Sequence, residues 1–494
     1  MPAFSLSALS QRRPRRFAAL LPLALLSLTT ACGQNPPATA PAPPGLVRDS
    51  ATGRADLPWL RQQLDSSATL RRQMVGVALA DAATGEALFG YNEARYFTPA
   101  STMKLLSLYA GLTLLPDSLP SLRYFSRGDT LFFQGTGDPT LLHGDVPSRR
   151  AYTFLAQRPE KLLAYCDIAT VPAYGPGWTW DDFNYYFQPE RTAFPLYGNT
   201  VRFYAAAPAL VRPRPGAPAQ ALPQRVRVYP RAFAPLTERA GVDFRLSPDQ
   251  DDDMHVFRAQ LENRFTYRPG VKKWIDEVPY RTSRQLFLRL LGDTLRRAIV
   301  GTAWRPRPGR DSIRTLRGLR ADSLYRRMLR VSDNFLAEQL LLMTSTQVGY
   351  RDSLSGARAI RYLLRNQLRD LPDRPDWVDG SGLSRLNLLT PRALTALLVR
   401  LHRQVPEPRL LGLLAAGGGQ GTLRKRYFEA GPPRLPWLWG KTGTLTHTCN
   451  LAGYVRCRSG RLVAVTFFNN GIPGSDQATR NAMERLLREV RERL

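Results

Sequence analysis

The sequence predicts an α+β fold in which strands at the two ends of the chain bracket a helical middle, with a β-rich block inserted between. Three observations predict it. Short apolar alternating runs with turn residues between them stand near the start and near the end. Helical periodicity dominates from Arg284 onward, and the stretch between about Leu122 and Ser283 is dense in glycine, proline and aromatics with short alternating runs. A chain of 494 residues is long enough for two or three domains.

The N-terminus reads as an export signal. Arg12, Arg13, Arg15 and Arg16 make a basic region, and Phe17 to Leu28 a short apolar one. Thr29-Thr30-Ala31-Cys32 then resembles a bacterial lipobox, which would make Cys32 the lipidated first residue of the mature protein. Ordinary cleavage nearby is the alternative. Residues 1–32 are therefore assigned to the signal, and the Pro/Ala-rich residues 33–52 to an extended tether. After the N-terminus no run offers the ~20 apolar residues of a membrane span, so the membrane is met only through this anchor. The expected location is the periplasm.

From Met74 the pattern is strand (Val75 to Ala80), turn (Ala83-Thr84-Gly85) and strand (Ala87 to Phe89). A helix follows behind Pro99, carrying Leu105, Leu106, Leu108 and Leu112. The β-rich block includes the alternating Arg225 to Tyr229 and an acidic turn at Asp249 to Asp253. Past Arg284, Thr390-Pro391 is a helix start, an N-cap followed by proline at the first helical position. Asn450 to Arg456 and Leu462 to Phe468 read as a hairpin around Ser459-Gly460. Ser475 is the expected cap of a last helix with Ala482, Met483, Leu486, Leu487, Val490 and Leu494 on one face. Residues 53–121 and 284–494 are assigned to one domain and 122–283 to the insert.

Formal net charge is +29. Such a charge raises nucleic acid as a partner. Export and the scatter of the arginines argue against that, and a solvated, compositionally biased surface is the preferred reading. Attraction to a carboxylate-rich cell wall is the functional alternative. Beyond Cys32 stand Cys166, Cys449 and Cys457. Cys449 and Cys457 read as lying on one strand, where eight residues span roughly 26 Å at ~3.3 Å each. A disulfide needs Cα atoms within about 7 Å, so these two are not expected to pair. No His/Cys cluster suggests a metal, and no cofactor is expected.

The chemistry lies in the lysines. Only six remain among 69 basic residues, and two of them sit in Ser101-Thr-Met-Lys104 and in Lys441-Thr442-Gly443. A guanidinium stays protonated, whereas burial or a neighbouring cation can drive an ammonium to its neutral, basic form. Ser101 and Lys104, three apart on a helix, share a face, and a serine hydroxyl needs such a base. Between these motifs lies Ser332-Asp333-Asn334. Its hydroxyl can relay a proton to a leaving amine and its amide can hold a substrate backbone; alone, the triplet is more often a helix cap. Lys441 supplies charge and Thr442 a hydroxyl for a substrate carboxylate, on what reads as an edge strand. Gly443 is expected to let the substrate backbone approach closely. The N–H groups of Ser101 and Thr444 are candidates for an oxyanion hole. A single motif is weak, but a chance Lys-Thr-Gly is expected only at about a few per cent with six lysines, and all three occur in order. A histidine-based triad fares badly: of four histidines none accompanies a Gly-x-Ser-x-Gly elbow, and His447 reads as a surface residue.

The ordered S-x-x-K, S-D-N and K-T-G set resembles that of penicillin-binding proteins and class A β-lactamases. Gly135-Thr136-Gly137-Asp138-Pro139-Thr140-Leu141, Gly177-Trp178 to Asp182, Asp379-Gly380-Ser381-Gly382-Leu383-Ser384-Arg385, Gly421 to Arg426 and Leu451 to Tyr454 narrow the resemblance. Together they are similar to the class C low-molecular-mass penicillin-binding proteins, the D-alanyl-D-alanine carboxypeptidase/endopeptidase family. That resemblance implies a penicillin-recognising domain, an antiparallel sheet flanked by helices and split by an inserted β-rich domain. It also implies a serine DD-peptidase acting on peptidoglycan peptides and acylated by β-lactams. Ser101 would be the nucleophile, Lys104 the base, Ser332 and Asn334 the proton relay and substrate holder, and Lys441 and Thr442 the carboxylate site. A serine β-lactamase and a non-catalytic wall-binding lipoprotein are the alternatives; the large insert argues against the first and the intact motif set against the second.

Overall fold

The computed structural model describes residues 57–494 apart from 147, 168–170, 209, 212–219, 222–223, 242–253, 271, 304–308 and 349–353. The expected signal with Cys32, the whole tether and the acidic run at 249–253 lie outside the described residues.

The two ends of the chain build one six-stranded antiparallel sheet. Its order is Ala415–Ala416, Leu438–Leu445, Thr448–Arg456, Leu462–Asn470, Met74–Asp81 and Ala87–Tyr91. The N-terminal strand pairs with the last one, Met74 opposite Asn470 and Asp81 opposite Val463. Because strand side chains alternate in direction, the sheet presents two apolar faces. Val77, Leu79, Leu451, Val463, Val465 and Phe467 face one core, which takes the helices Pro58–Ser66 and Gln477–Arg493. Ala80, Ala452, Tyr454, Ala464 and Phe468 face the other. The helix Pro391–Gln404 packs on this second face, where the alanines leave room for close approach, and its Thr395 Oγ1 donates to Thr466 Oγ1 at 2.8 Å. With both faces covered, every residue of Leu462–Asn470 is buried, and the strand is apolar over most of its length instead of alternating.

The starts of the helices carry their own chemistry. Thr390 Oγ1 accepts from Ala393 N at 3.2 Å with Pro391 in the first position, the expected N-cap. The last helix differs from expectation: Asp476 occupies the cap position, and Ser475 Oγ accepts from Gln477 N at 3.3 Å one residue earlier. The hairpin of Thr448–Arg456 and Leu462–Asn470 forms as expected, and Cys166, Cys449 and Cys457 are all free and buried.

The insert has its own core. A five-stranded sheet runs in the order Ile299–Thr302, Leu162–Cys166, Thr130–Gly135, Ser118–Arg127, Arg314–Arg320, beside two three-stranded sheets built from segments between Thr200 and Pro279. Phe133, Phe194, Phe203, Phe233 and Phe265 fill the space between them. The boundary expected between 283 and 284 is corrected here. Helix Arg284–Leu295 does begin where its periodicity predicts, but Leu286, Leu290, Leu291 and Leu295 pack into the insert's core. The chain returns to the catalytic core at Ala321, where helix Ala321–Arg330 buries Leu324, Tyr325 and Met328. A helical period marks a helix, not the layer it joins.

Candidate active site

Ser101 lies on a single 3₁₀ turn, Ala100–Met103, that runs into the α-helix Lys104–Leu114. The tighter turn matters, because side chains three apart eclipse in a 3₁₀ helix. Lys104 Nζ consequently sits 2.9 Å from Ser101 Oγ. Ala100 has φ +49°, a left-handed conformation that a side chain rarely takes. Neighbouring backbone presses on it: a Cβ on Gly382 would come within 1.9 Å of Ala100 O. Gly443 presses from the other side, where a Cβ would lie 2.6 Å from Pro99 O and 3.1 Å from Thr102 N. The expectation that Gly443 makes room for substrate is therefore corrected; it lets the motif strand seat against the turn that carries Ser101.

Lys104 is fully buried and has three partners: Ser101 Oγ, Asn334 Oδ1 at 2.6 Å and the carbonyl of Ser381 at 2.7 Å. A neutral amine keeps two N–H groups and gains a lone pair. Here the two permanent acceptors, Asn334 Oδ1 and Ser381 O, take the two N–H groups, so the lone pair falls to the Ser101 hydroxyl. Burial pushes the Lys104 pKa down to about 8, against the opposing pull of Asp379, Asp333 and Glu338.

Ser332 and Asn334 stand between the helices Ala321–Arg330 and Asn334–Ser345, with Ser332 at φ +65°. The cap and the site coexist: Asp333 between them accepts from Leu336 N at 3.0 Å, which frees its two neighbours for the cleft. Asn334 Nδ2 donates to the insert's Phe187 carbonyl at 3.0 Å. Lys441 is also fully buried, donating to Ser332 Oγ at 2.9 Å and to Thr442 O at 2.5 Å. Its pKa falls well below the usual lysine value, first through burial and then through the charge of Lys104.

The motif strand is second in the sheet, but its outer neighbour, Ala415–Ala416, pairs only with Gly440 and Trp439. From Lys441 to Leu445 the outer side is a sheet edge. Leu438 turns its carbonyl outward, to Gly417 N at 2.9 Å. By the alternation of an antiparallel ladder, Thr442 and Thr444 turn their backbone groups the same way. The Thr444 N–H thus faces the cleft that Ser101 lines. Thr444 is exposed and its Oγ1 accepts from Arg480 at 3.0 Å. His447 is an exposed turn residue, its Nδ1 2.8 Å from Ile472 O, and it lies outside the cleft lining.

Several groups around Lys104 escaped sequence reading. Glu338, one helical turn beyond Asn334, accepts from Ser381 N at 2.8 Å and pairs with Arg191 of the insert at 3.2 Å. Its pKa is raised by burial and by Asp379, against the pull of Arg191. Asp379 organises the loop that carries Ser381: Oδ1 accepts from Gly382 N and Asn387 Nδ2, both at 2.8 Å, and Oδ2 from Ser384 N at 2.7 Å and Trp178 Nε1 at 2.9 Å. Arg191 also stacks over Trp178, 5.3 Å from the ring centroid. The signal for Glu338 was present in the sequence: Glu338-Gln339 is a polar pair inside an otherwise apolar helix. Phe187 could leave none, since it acts through its carbonyl. The resulting cleft, of about 810 Å³, is bounded by Ser101, Ser332, Asn334 and Thr444 on one side and by the insert's Asp181, Asp182, Tyr186 and Phe187 on the other.

The profile of the D-Ala-D-Ala carboxypeptidase 3 (S13) family matches residues 60–220 and 319–490. The chain is 24% identical over 417 residues to the D-alanyl-D-alanine carboxypeptidase DacB of Haemophilus influenzae, covering 78% of this chain and 83% of that protein. It is 35% identical over 168 residues to the carboxypeptidase DacB of Mycolicibacterium smegmatis, 33% of this chain and 36% of that one. Among solved structures, penicillin binding protein 4 (dacB) from Haemophilus influenzae superposes with a TM-score of 0.64 at 21% identity, over 88% of this chain and 98% of that chain. The α+β fold, an antiparallel sheet flanked by helices with extra sheets inserted, is thus the fold of that structure. With two matched segments spanning both sides of the insert and the motif set intact, the chain belongs to the S13 family of serine-type D-Ala-D-Ala carboxypeptidases.

Proposed function

We propose that Ser101 is the nucleophile of this carboxypeptidase and that the two buried lysines divide the proton transfers. In the free site both cannot hold a charge cheaply. Three carboxylates, Asp379, Asp333 and Glu338, favour a charge on Lys104, whereas burial and the Lys104 charge disfavour one on Lys441, so the resting charge favours Lys104. A substrate that places its terminal carboxylate at Thr442 reverses the preference. The carboxylate draws the proton to Lys441, and the Lys441 charge then disfavours a second cation at Lys104. Neutral Lys104 takes the Ser101 proton as Oγ attacks the carbonyl of the penultimate D-alanine. The N–H groups of Ser101 and Thr444 receive the oxyanion. Collapse breaks the C–N bond, and the departing amine takes its proton from Ser332 Oγ, which is resupplied by Lys441. Water then hydrolyses the Ser101 ester by the reverse sequence, releasing the shortened peptide. Asn334 holds the substrate backbone and orients Lys104.

The observation that carries this reading is the 2.9 Å contact between Ser101 Oγ and a fully buried amine whose other two acceptors are fixed. The test is release of D-alanine from a pentapeptide muropeptide. The wild type should release it, and Ser101→Ala should not; retained release by the variant refutes the assignment. The same site should be acylated by β-lactams. A Haemophilus influenzae relative of the same fold has been solved in complex with a β-lactam.

The setting of the reaction belongs to this reading too. Peptidoglycan peptides, cross-linked or not, are the substrates, nucleic acid is not a partner, and the protein is exported to the periplasm. Cys32 anchors it through lipid. Labelling with a fatty-acid analogue should mark the wild type and not Cys32→Ala; label in the variant overturns the anchor.

A further inference from the structure

The terminal helix reaches the motif strand through one side chain. Arg480, in the first turn of Gln477–Arg493, donates from Nη2 to Thr444 Oγ1 at 3.0 Å. A cation in a first turn opposes the helix dipole, so the stability of the helix does not account for an arginine here. Asp476 offsets that cost and fixes the guanidinium in a fork, accepting from Nε at 2.9 Å and from Nη2 at 2.6 Å. The helix itself is firmly seated. Ala482, Met483, Leu486 and Leu487 are buried in the core on that face of the sheet, and Thr479 Oγ1 accepts from Gln73 Nε2 at 2.8 Å. Arg480 is therefore held at both ends, between a carboxylate of its own helix and a threonine of the active-site strand.

This contact decides where the Thr444 hydroxyl sends its proton. A guanidinium only donates, so Thr444 Oγ1 is the acceptor, and the O–H is left for a different partner. It has none among the described residues, and neither has the Thr442 hydroxyl. The two threonines stand two apart on one strand, so their side chains leave it on the same side, about 6–7 Å apart. One carboxylate held by two O–H···O bonds of about 2.7 Å fills that span. Thr442 and Arg480 also line one groove. Its other cations, Arg424, Lys425 and Arg426, bond to neither threonine. The cations differ in kind as well. In the proposed cycle Lys441 shares a proton with Lys104, whereas Arg480 stays charged, so its hold on Thr444 is the same at every step. We infer that Arg480 is a positioning residue for the terminal carboxylate of the substrate: it fixes the Thr444 hydroxyl as a donor, so that Thr442 and Thr444 hold the carboxylate together. This rests on the placement of that carboxylate at Thr442 in the proposed function.

The test uses two acylating probes that differ only in this carboxylate, benzylpenicillin and its methyl ester, and reads the second-order rate of Ser101 acylation by intact mass. Arg480→Met should lose about tenfold with benzylpenicillin, the scale of one weakened hydrogen bond to a charged group, and less than about twofold with the ester. Thr444→Val removes the hydroxyl, keeps the shape and leaves the backbone N–H in place. It should show the same acid-selective loss, which keeps the inference open to test if Arg480→Met does not fold. Adding Arg480→Met to Thr444→Val should then cost nothing further with either probe. Equal losses on both probes, or none on either, would overturn the inference and leave the Ser101 reading intact. A full further loss in the Thr444→Val background would mean that Arg480 acts independently of the hydroxyl, and would overturn it also. A wild type acylated equally fast by acid and ester would remove the carboxylate site at Thr442, and the role of Arg480 with it. A wild type acylated at Ser101 by neither probe would sink the nucleophile assignment itself.

Discussion

The catalytic half and the insert reach the same lysine by different routes. The catalytic half offers side chains and a loop: Ser101, Asn334 and the Ser381 carbonyl surround Lys104 directly. The insert holds the partners of those partners. Phe187 O fixes Asn334, Trp178 Nε1 fixes Asp379, and Arg191 fixes Glu338, whose other oxygen holds Ser381 N. The difference teaches that a large insertion in a compact enzyme fold is not merely a substrate platform here. It supplies outer contacts that orient the acceptors around Lys104.

Five variants break or sharpen that comparison. The largest effect is expected in the catalytic half. Lys104→Arg keeps the charge and nearly the length but cannot give up a proton, so acylation of Ser101 should fall about 10²–10⁴-fold, the range for loss of a general base; near-normal acylation would remove Lys104 from that role. Next comes the buried bridge from the insert. Arg191→Met leaves Glu338, 1% exposed, without its cation, and breaking such a pair costs about 3–5 kcal/mol. Arg191→Met/Glu338→Leu should recover most of that in a urea titration, and if the single variant is as stable as wild type the bridge is not what joins the halves. Trp178→Phe keeps an aromatic ring and loses the donor to Asp379. A hydrogen bond to a charged group contributes about 1.5–3 kcal/mol, so a smaller stability loss should accompany slower acylation. The smallest effect is a shift in pH dependence. Acylation should fall as pH rises through about 8, where the free site loses the one proton that Lys104 and Lys441 share. Glu338 raises the Lys104 pKa, so Glu338→Gln should move that fall to lower pH in stopped-flow acylation; an unmoved profile would show that Glu338 acts only on structure.

The same contrast governs what can be read from the chain. The catalytic half is legible because its motifs are contiguous and rare: Ser101 to Lys104, Ser332 to Asn334 and Lys441 to Gly443 follow from residue types and order alone. The terminal hairpin and the Thr390 cap are legible because local propensity and tertiary packing agree there. The role of Gly443 is not, since a glycine in an edge strand signals a close approach without saying whose; the neighbour is Pro99 O. The seam near 284 is hidden because the helix Arg284–Leu295 has an ordinary amphipathic pattern, and only packing reveals that its leucines face the insert's phenylalanines. Asp333, an N-cap and a site neighbour at once, shows that the structural and functional readings of one triplet need not compete.

The most direct test of the account is the intact mass of the signal-free protein followed over time with benzylpenicillin, with the adduct mapped to a residue. The account predicts a persistent adduct on Ser101, absent from Ser101→Ala. A transient adduct with rapid loss of the drug would mark a β-lactamase. Deacylation within milliseconds instead of hours is a difference of about 10⁶-fold or more, some 8–9 kcal/mol in barrier. An adduct on another residue, or none at all, would contradict the central claim that Ser101, activated by Lys104, is the nucleophile.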